Sequence, residues 1–297
     1  MGNANIAEYR RAGKVAGAAR DFGLSIVKEG GKLVDLAQDV ESFIVKMGAK
    51  PAFPVNLSLN SVAAHYTPSK YDETVFKRGD VVKLDVGSHV DGFIADTAAT
   101  MEIGTMRHQE MIVAAQSALE AAISLMRPGV DMYVVGAAIE GQIKSRGFLP
   151  IRNLTGHGLE RYQLHTGFSV SNVPLKGESK PFSGQAVAIE PFATNGAGKV
   201  MDGDSGGIYS LIRAKPQKDA DSEALLTHII NEFHTLPFAD RWCEGKFSEK
   251  ELNSALKTLV RTGCIRPYRI LVEAGEGIVA QAEHTVIVQD DGCEVIT

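Results

Sequence analysis

The stretch that decides the fold runs Arg78-Gly-Asp-Val-Val-Lys-Leu-Asp-Val-Gly-Ser-His-Val-Asp-Gly-Phe-Ile-Ala-Asp-Thr-Ala-Ala-Thr100. An apolar-rich run over 81–86 is followed by turn-forming residues and then by a second run over 93–100. This pattern is typical of a β-hairpin, in which two strands are joined by a Gly-containing turn. The sequence therefore predicts two long antiparallel strands near the middle of its first half.

Two aspartates, Asp85 and Asp96, lie within the predicted strands, although aspartate is depleted in strands. If the chain turns about residues 90 and 91, these side chains lie directly opposite each other on one face. Like charges in that position destabilise each other, and two close carboxylates do not both stay ionised without help. A shared proton or a bound cation can relieve the repulsion. We take the cation as the working hypothesis, which predicts further ligands elsewhere in the chain.

The composition is that of an ordinary globular protein: of 297 residues, 44% are hydrophobic and 23% are charged. The net charge is −5 and no block of Lys or Arg occurs, which argues against nucleic-acid binding. No signal-peptide pattern and no segment of transmembrane length is found. Three widely spaced cysteines, Cys243, Cys264 and Cys293, indicate free thiols in a reducing compartment. We therefore expect a cytoplasmic protein that binds neither nucleic acid nor membrane.

Hydrophobic periodicity and Gly/Pro breaks predict six helices, over 4–22, 33–48, 106–126, 131–145, 220–236 and 248–262. Apolar runs over 185–192 and 277–288 predict strands that each carry a glutamate. The helical pattern of residues 210–270 predicts an inserted helical subdomain.

The chain also contains a distant repeat. Two adjacent glycines, a helix, Gly48 and the run Pro54-Val-Asn-Leu-Ser58 resemble Pro-Gly, a helix, Gly147 and the run Pro150-Ile-Arg-Asn-Leu-Thr155. The two copies are roughly a hundred residues apart, too far for a solenoid repeat. We expect one domain of two similar halves, about 1–128 and 129–297, packed about a pseudo-twofold axis with a site between them.

Five residues place an ionisable group inside, or at the end of, an otherwise apolar strand: Asp85, Asp96, His157, Glu190 and Glu283. Four carboxylates and one imidazole suit two divalent ions such as Mn, Fe, Co or Zn better than a lone tetrahedral zinc. A pair of ions roughly 3.5–4 Å apart can activate a bridging water and polarise a carbonyl group. The set therefore predicts a dinuclear metal site.

Each of these residues alone has a structural explanation. A strand carboxylate can lie on a solvated face, His157 can be a loop residue between glycines, and Glu190 can end a strand before Pro191. The five together are harder to explain in this way, because a buried unpaired charge is costly. The metal-site interpretation thus depends on whether these five side chains are buried.

His65 and His165 are the next candidates, because each follows a copy of the repeated Asn-Leu-Ser/Thr. Either imidazole can donate to a developing oxyanion or to a leaving nitrogen. The remaining histidines are predicted to lie outside the site. His89 and His108 are expected at the surface, His228 and His234 to be structural, and His284 to face away from Glu283.

At these residues the sequence resembles the type II methionine aminopeptidases, specifically their short archaeal form. The resemblance covers nearly the whole chain. The matching motifs are Ala63-Ala-His65-Tyr-Thr-Pro68, Lys83-Leu-Asp85-Val-Gly, Ile94-Ala-Asp96-Thr-Ala, Asn153-Leu-Thr-Gly-His157-Gly, Ala188-Ile-Glu190-Pro-Phe192 and Ala282-Glu283-His-Thr. The eight-residue spacing of His157 and His165, and the room for an insert between Glu190 and Glu283, indicate type II.

The resemblance implies the α+β pita-bread fold, with two pseudo-symmetric halves, antiparallel β-sheet, flanking helices and a helical insert in the C-terminal half. It also implies removal of the N-terminal methionine from nascent proteins and peptides, by attack of a metal-bridging hydroxide on the first peptide bond. The cofactors would be two divalent metal ions, with Co, Mn, Fe or Zn as candidates. Nascent polypeptides would be the substrates and the ribosome a candidate partner, and we expect a monomer.

The resemblance further implies a role for each matching residue. Asp96 and Glu283 would bridge the two metals, Asp85 would chelate one of them, and His157 with Glu190 would hold the other. Glu190 would also shuttle a proton. His65 and His165 would stabilise the tetrahedral intermediate and position the scissile amide.

By the same resemblance, four residues would line an apolar pocket for the methionine side chain: Phe53, Leu164, Phe192 and Tyr268. Aromatic and aliphatic walls suit a flexible thioether. Such residues are also common in an ordinary hydrophobic core. The part of the pocket wall that segment 197–270 supplies has no counterpart among the matching motifs.

Three other interpretations compete with this one. Xaa-Pro aminopeptidases and prolidases share the five ligands but usually carry a separate N-terminal domain, whereas here the first helix leads almost directly into the catalytic half. Non-catalytic pita-bread proteins that bind nucleic acid or protein typically lose ligands and gain basic surface, whereas this acidic chain keeps all five. Metal-free chemistry of the creatinase kind likewise predicts broken ligands.

Overall fold

The computed structural model describes residues 3–177 and 180–297. The helices of this part are α1 (Asn3–Ile26), α2 (Leu33–Lys46), α3 (Gln109–Leu125), α4 (Met132–Ser145), α5 (Ala220–Glu232) and α6 (Glu249–Arg261), with a 3-10 turn over Asp240–Cys243. Each predicted helix is present, and α1 extends four residues beyond its predicted end. In these ranges no helix combines the length and the apolar character needed to cross a membrane.

Every pairing between the strands is antiparallel, as the resemblance implied. The strands are β1 (Lys50–Pro51), β2 (Asn56–Leu59), β3 (Val62–Ala64), β4 (Val81–Val90), β5 (Phe93–Glu102), β6 (Leu149–Pro150), β7 (Thr155–Leu159), β8 (Ser169–Ser171), β9 (Ala186–Ile189), β10 (Phe192–Thr194), β11 (Val200–Leu211), β12 (Phe238–Ala239), β13 (Ile265–Glu273), β14 (Val279–Gln281), β15 (His284–Gln289) and β16 (Gly292–Val295).

Two helix-on-sheet units build most of the core. In the first, α1 and α2 cover a sheet in which β4 pairs with β1, β2 and β5. In the second, α3 and α4 cover a sheet with the strand order β16-β15-β9-β7-β8. The same combination of a helix pair and an antiparallel sheet thus recurs along the chain. We propose that these units are the two halves of one domain.

The hairpin of β4 and β5 is present, but its predicted register is wrong. The turn consists of Asp91 and Gly92, both with positive φ (51° and 87°). A tight two-residue hairpin turn needs positive φ at both positions, and Asp-Gly adopts this conformation readily. Asp85 therefore lies opposite Ala98, and Asp96 lies opposite Gly87. The two aspartates are diagonal neighbours on one face instead of a directly opposed pair.

The prediction that His89 lies at the surface is also wrong. The residue is only 7% exposed, and its Nδ1 accepts a hydrogen bond of 3.1 Å from the backbone N–H of Gly92. The ring is buried and binds the backbone of the hairpin turn. A polar residue next to a turn is usually exposed, so the sequence did not indicate this position. His108 is partly buried near Glu102.

The helical insert lies between two paired strands, β11 and β13. Its helices α5 and α6 enclose a separate apolar cluster that includes Leu225, Phe238 and Leu256. Helix α6 begins with a capping box in which Ser248 and Glu251 satisfy each other's backbone N–H groups. We propose that residues 210–270 form the inserted subdomain, which β11 and β13 connect to the rest of the chain.

A buried ion pair joins this insert to α2. Glu41 on α2 accepts hydrogen bonds from the Arg241 guanidinium, from the indole N–H of Trp242 at 2.8 Å and from the backbone N–H of Val55 at 3.1 Å. Burial raises the pKa of Glu41, whereas these partners lower it. The side chain therefore connects the insert, α2 and the segment that leads into β2.

Replacing Arg241 with methionine is expected to lower the free energy of unfolding by about 3–5 kcal/mol, because Glu41 would stay buried without its cation. The exposed pair of Arg10 and Glu294 is the matched control. The Arg10→Met variant should lower the free energy of unfolding much less, because this pair is exposed to solvent. Equal losses for the two variants in urea unfolding would contradict the assignment.

Candidate active site

One cavity collects all five predicted metal ligands. It is lined by Phe53, Asn56, Ala64, His65, Asp85, Asp96, His157, Leu164, His165, Glu190, Ile208, Pro237, Tyr268 and Glu283. The ligands come from both units of the fold: Asp85 and Asp96 from β4 and β5, His157 from β7, Glu190 directly after β9 and Glu283 directly before β15. The site therefore lies between the units, as the repeat predicted.

The meeting of β5 with the chain before β15 brings two of the carboxylates together. The backbone N–H of Glu283 donates to the carbonyl of Ala98 at 2.9 Å. The N–H of Asp96 lies 2.8 Å from the Thr285 hydroxyl, which is also within hydrogen-bond distance of the Asp96 carbonyl. These contacts hold the backbone segments of Asp96 and Glu283 next to each other at the cavity.

Three of the five residues already offer one ligand atom each within 4.8 Å of one another: Asp96, His157 and Glu283. His157 Nε2 lies 3.7 Å from Asp96 Oδ2 and 3.6 Å from Glu190 Oε1. Asp85 joins the group through the cavity wall beside Asp96. The arrangement is compact enough for a divalent ion to contact several of these side chains.

Three carboxylate oxygens at this site lack internal partners. Within residues 3–177 and 180–297, the buried atoms Asp85 Oδ1, Asp96 Oδ1 and Glu283 Oε1 accept no hydrogen bond. A buried acceptor without a donor is costly, and several together indicate a positive group that satisfies them. Four carboxylates and one imidazole are suitable ligands for a divalent metal ion. The residues present therefore fit the metal that the sequence predicted.

Burial and mutual repulsion shift the protonation of the group. Burial raises the pKa of Asp85 to about 7, and burial with repulsion among the carboxylates raises the pKa values of Asp96, Glu190 and Glu283 well above their usual range. Burial also lowers the pKa of His157 to about 4. Without a cation, the site is thus stabilised by protons on its carboxylates.

The metal-free protein should lose stability as pH rises. A carboxyl group whose folded pKa is raised stabilises the protein fully below its unfolded pKa and loses that contribution as pH passes the folded value. For Asp85 the window runs from about pH 4 to about pH 7. Calorimetry with chelator should show the parent protein losing Tm across this window relative to Asp85→Asn. Added Mn²⁺ should remove the loss, and parallel pH profiles for parent and variant would contradict the assignment.

His65 follows β3 with a positive φ of 65°, which is uncommon for a residue with a side chain. Its Nδ1 lies 3.1 Å from the carbonyl oxygen of Arg269. Because a carbonyl only accepts hydrogen bonds, Nδ1 carries the proton. Burial lowers the pKa of His65, so the ring is neutral and its Nε2 is left as an acceptor.

His165 lies beside His157, with ring centroids 4.2 Å apart. The residue is exposed overall, but its ring contributes to the cavity wall. Burial of the ring, followed by the nearby His157 and His65, lowers the pKa of His165. A neutral His165 keeps one N–H that can donate to a ligand in the cavity.

The predicted apolar residues divide into two groups. Phe53, Leu164 and Tyr268 line the cavity, and the Tyr268 ring meets His65 edge-on with centroids 5.2 Å apart. Phe192 does not line it; the residue is 1% exposed and packs in a neighbouring apolar cluster that includes Ile151. Strand β9 ends before Pro191 and β10 begins after it, so the side-chain alternation from Glu190 does not continue to Phe192.

Four lining residues were not predicted: Asn56, Ala64, Ile208 and Pro237. Asn56 lies in the repeated Asn-Leu-Ser and pairs across the strands with Asp85, so a correct alignment of β2 with β4 would have identified it. Ile208 and Pro237 come from β11 and the insert, where the sequence carries no recognisable motif. His284 contacts Thr297 at 2.8 Å and is not part of the cavity lining, in agreement with its predicted orientation.

Comparison with known proteins connects this geometry to a family. The sequence pattern of metallopeptidase family M24 matches residues 7–290. A methionine aminopeptidase of Pyrococcus horikoshii is 48% identical over 287 residues, which cover 96% of this chain and 97% of that protein. A similar archaeal relative, the methionine aminopeptidase of Methanothermobacter thermautotrophicus, is 44% identical over 98% of both chains.

Solved structures confirm the predicted pita-bread fold. The methionine aminopeptidase of Thermotoga maritima aligns with a TM-score of 0.73 at 23% identity and covers 100% of this chain and 98% of its own. These matches extend over nearly the whole length of the chain, and the archaeal relatives are named for the activity that the sequence motifs implied. The chain therefore belongs to metallopeptidase family M24 and, within that family, to the methionine aminopeptidases.

Proposed function

We propose that the protein removes the N-terminal methionine from peptides and nascent polypeptides in a metal-dependent reaction. The observation that carries this proposal is the convergence of buried, unpartnered carboxylate oxygens with His157 at a cavity with an apolar wall. The names of the archaeal relatives agree with it.

We assign the metal to Asp85, Asp96, His157, Glu190 and Glu283. Four carboxylates offer more oxygen atoms than one tetrahedral ion takes up, which supports two ions. Co, Mn, Fe and Zn all suit such a ligand set. Bound divalent ions would supply an acidified water and would polarise the scissile carbonyl group.

The chain's own side chains would orient the peptide and move the proton. Glu190 would take up a proton from the acidified water and pass it to the leaving nitrogen. The unprotonated Nε2 of His65 can accept a hydrogen bond from the scissile amide N–H. His165 can donate its N–H to the carbonyl oxygen as negative charge develops there.

The methionine side chain would lie against Phe53, Leu164 and Tyr268. Both Phe53 and Leu164 are buried, at 5% and 8% exposure, so surrounding residues hold their side chains in place. Ile208 and Pro237 extend this apolar surface from the side of the insert. Flexible thioethers bind well in such aromatic and aliphatic surroundings.

Peptide cleavage tests the proposal. The metal-loaded protein should release free methionine from Met-Gly and Met-Ala peptides, lose this activity with chelator and regain it with added Mn²⁺ or Co²⁺. Xaa-Pro peptides are the comparison, since a proline-directed aminopeptidase on the same fold would prefer them. Preference for Xaa-Pro peptides, or failure of a metal-loaded sample to release methionine, would contradict the proposal.

We also propose that the protein acts as a cytoplasmic monomer and meets its substrates at the ribosome, where new chains emerge. One chain supplies all five proposed ligands and both histidines, so the site needs no residue from a second copy. The three cysteines are free thiols, which agrees with a reducing compartment. Light scattering and co-sedimentation with ribosomes would test the two statements separately.

A further inference from the structure

We propose that Asn56 recognises the free α-ammonium group of the substrate, by accepting one of its N–H hydrogens at Oδ1. This inference rests on the proposed aminopeptidase function. It adds a neutral acceptor to the ionic residues that the metal-site argument already uses.

Asn56 is held rigidly next to the site. It begins β2, lines the cavity and is 4% exposed. In the antiparallel pairing of β2 with β4 it lies directly opposite Asp85. Residues in that relation project their side chains from the same face of the sheet. Asn56 and Asp85 therefore reach the cavity side by side.

The orientation of the amide is fixed by its neighbour. Asn56 Nδ2 donates a hydrogen bond of 2.7 Å to the carbonyl oxygen of Pro54, which can only accept. Oδ1 must therefore be the other atom of the amide. It is buried and receives no donor from the part of the chain that the structure describes. A buried carbonyl oxygen without a donor is unfavourable, so a ligand that brings an N–H group would be bound preferentially.

The chemistry of this corner favours an ammonium group. Asp85 is assigned to the metal, so in the metal-loaded protein Asn56 Oδ1 is the neighbouring acceptor that stays available. A free N-terminus carries several N–H donors and can give one of them to Oδ1. Because Asn56 is uncharged, it adds an acceptor without adding a further negative charge beside the four carboxylates.

A ligand without the amine would leave Oδ1 of Asn56 unpaired, and sites built to bind a polar group discriminate strongly against analogues that lack it. Calorimetry on the metal-loaded protein can measure this with L-methionine and its desamino analogue, 4-(methylthio)butanoic acid. The ratio of the two dissociation constants isolates the amine. In Asn56→Leu this ratio should fall by about tenfold to a hundredfold, as expected for a hydrogen bond to a charged group.

Two further variants separate recognition from structure. Asn56→Asp keeps the oxygen and should keep the preference for methionine. Asn172 is the matched control, since it is 1% exposed, its Oδ1 is also buried without a donor in the described residues, and it is not in the cavity lining. Asn172→Leu should leave the ratio unchanged. If Asn56→Leu does not fold, Asn56→Ser replaces it in the comparison.

Three outcomes would overturn the inference. Asn56→Leu could weaken the binding of methionine and of its desamino analogue equally, which would assign Asn56 to the pocket wall or to folding. It could lower the metal content of the purified protein, which would make Asn56 a metal ligand. Asn56→Asp could lose the preference as fully as the leucine variant. Failure of the proposed function is distinguishable, because then the unmodified protein itself would release no methionine and show no preference for the amine.

Discussion

Replacing Asp96 with asparagine is expected to lower methionine release on the order of a thousandfold, because bound metal contributes several kcal/mol to catalysis and each 1.36 kcal/mol is a factor of ten. Asp96 is one of the buried carboxylates of the cluster. It lies with His157 and Glu283 in the group of ligand atoms within 4.8 Å of one another. An amide at this position keeps the shape of the side chain but removes its charge. The number of metal ions bound per chain should therefore fall together with the activity.

The control for this variant is Asp131→Asn. Asp131 caps α4 by accepting a hydrogen bond from the N–H of Tyr133 at 2.9 Å, and asparagine caps helices equally well. Activity and metal content should be unchanged there. Asp96→Asn protein that binds metal normally, as measured by elemental analysis after dialysis, would contradict the assignment of Asp96 as a ligand.

Replacing Gly206 with alanine is expected to lower kcat on the order of a hundredfold, since a displacement of about 1 Å at a catalytic group has an effect of this size. A Cβ atom at Gly206 would lie 2.3 Å from the backbone oxygen of His65. Strand β11 therefore approaches the segment that holds His65 at its positive φ of 65°. The added methyl group would push that segment away and move the imidazole from the position that the Arg269 carbonyl defines.

Gly167→Ala is the matched control for Gly206→Ala. Gly167 follows His165 by two residues, and a Cβ atom there would meet no atom within 4 Å. The control should keep its activity, and Tm measured on both variants separates displacement of His65 from general unfolding. A folded Gly206→Ala protein with the kcat of the parent would contradict this account of how His65 is positioned.

Much of the site was predictable because its residues break a pattern. Asp85 and Asp96 are charged residues within apolar strands, and the structure places both on one face at the cavity. Their relative register was wrong because it depends on a tight Asp-Gly turn, and the choice of turn shifts every pair along the hairpin. The face was preserved since the error was an even number of residues along the strand.

The rest could not be predicted because it depends on long-range packing. Phe192 has the composition of a pocket residue, but its direction is set by the break at Pro191. Ile208 reaches the cavity because β11 pairs with β13, and residues far apart in the sequence form this pairing. The residues around Asn56 have the pattern of an ordinary strand, and only its pairing with Asp85 shows that its amide lies beside the metal ligands. Cross-strand partners of this kind are not contained in local periodicity.

The central claim is that these carboxylates and His157 hold divalent metal, and anomalous diffraction from crystals grown with Mn²⁺ tests it most directly. The account predicts anomalous density in the cavity within bonding distance of Asp96, His157 and Glu283. Removal of the metal with chelator should abolish that density together with methionine release. Manganese bound only elsewhere on the protein, with a catalytically active cavity free of metal, would contradict the account.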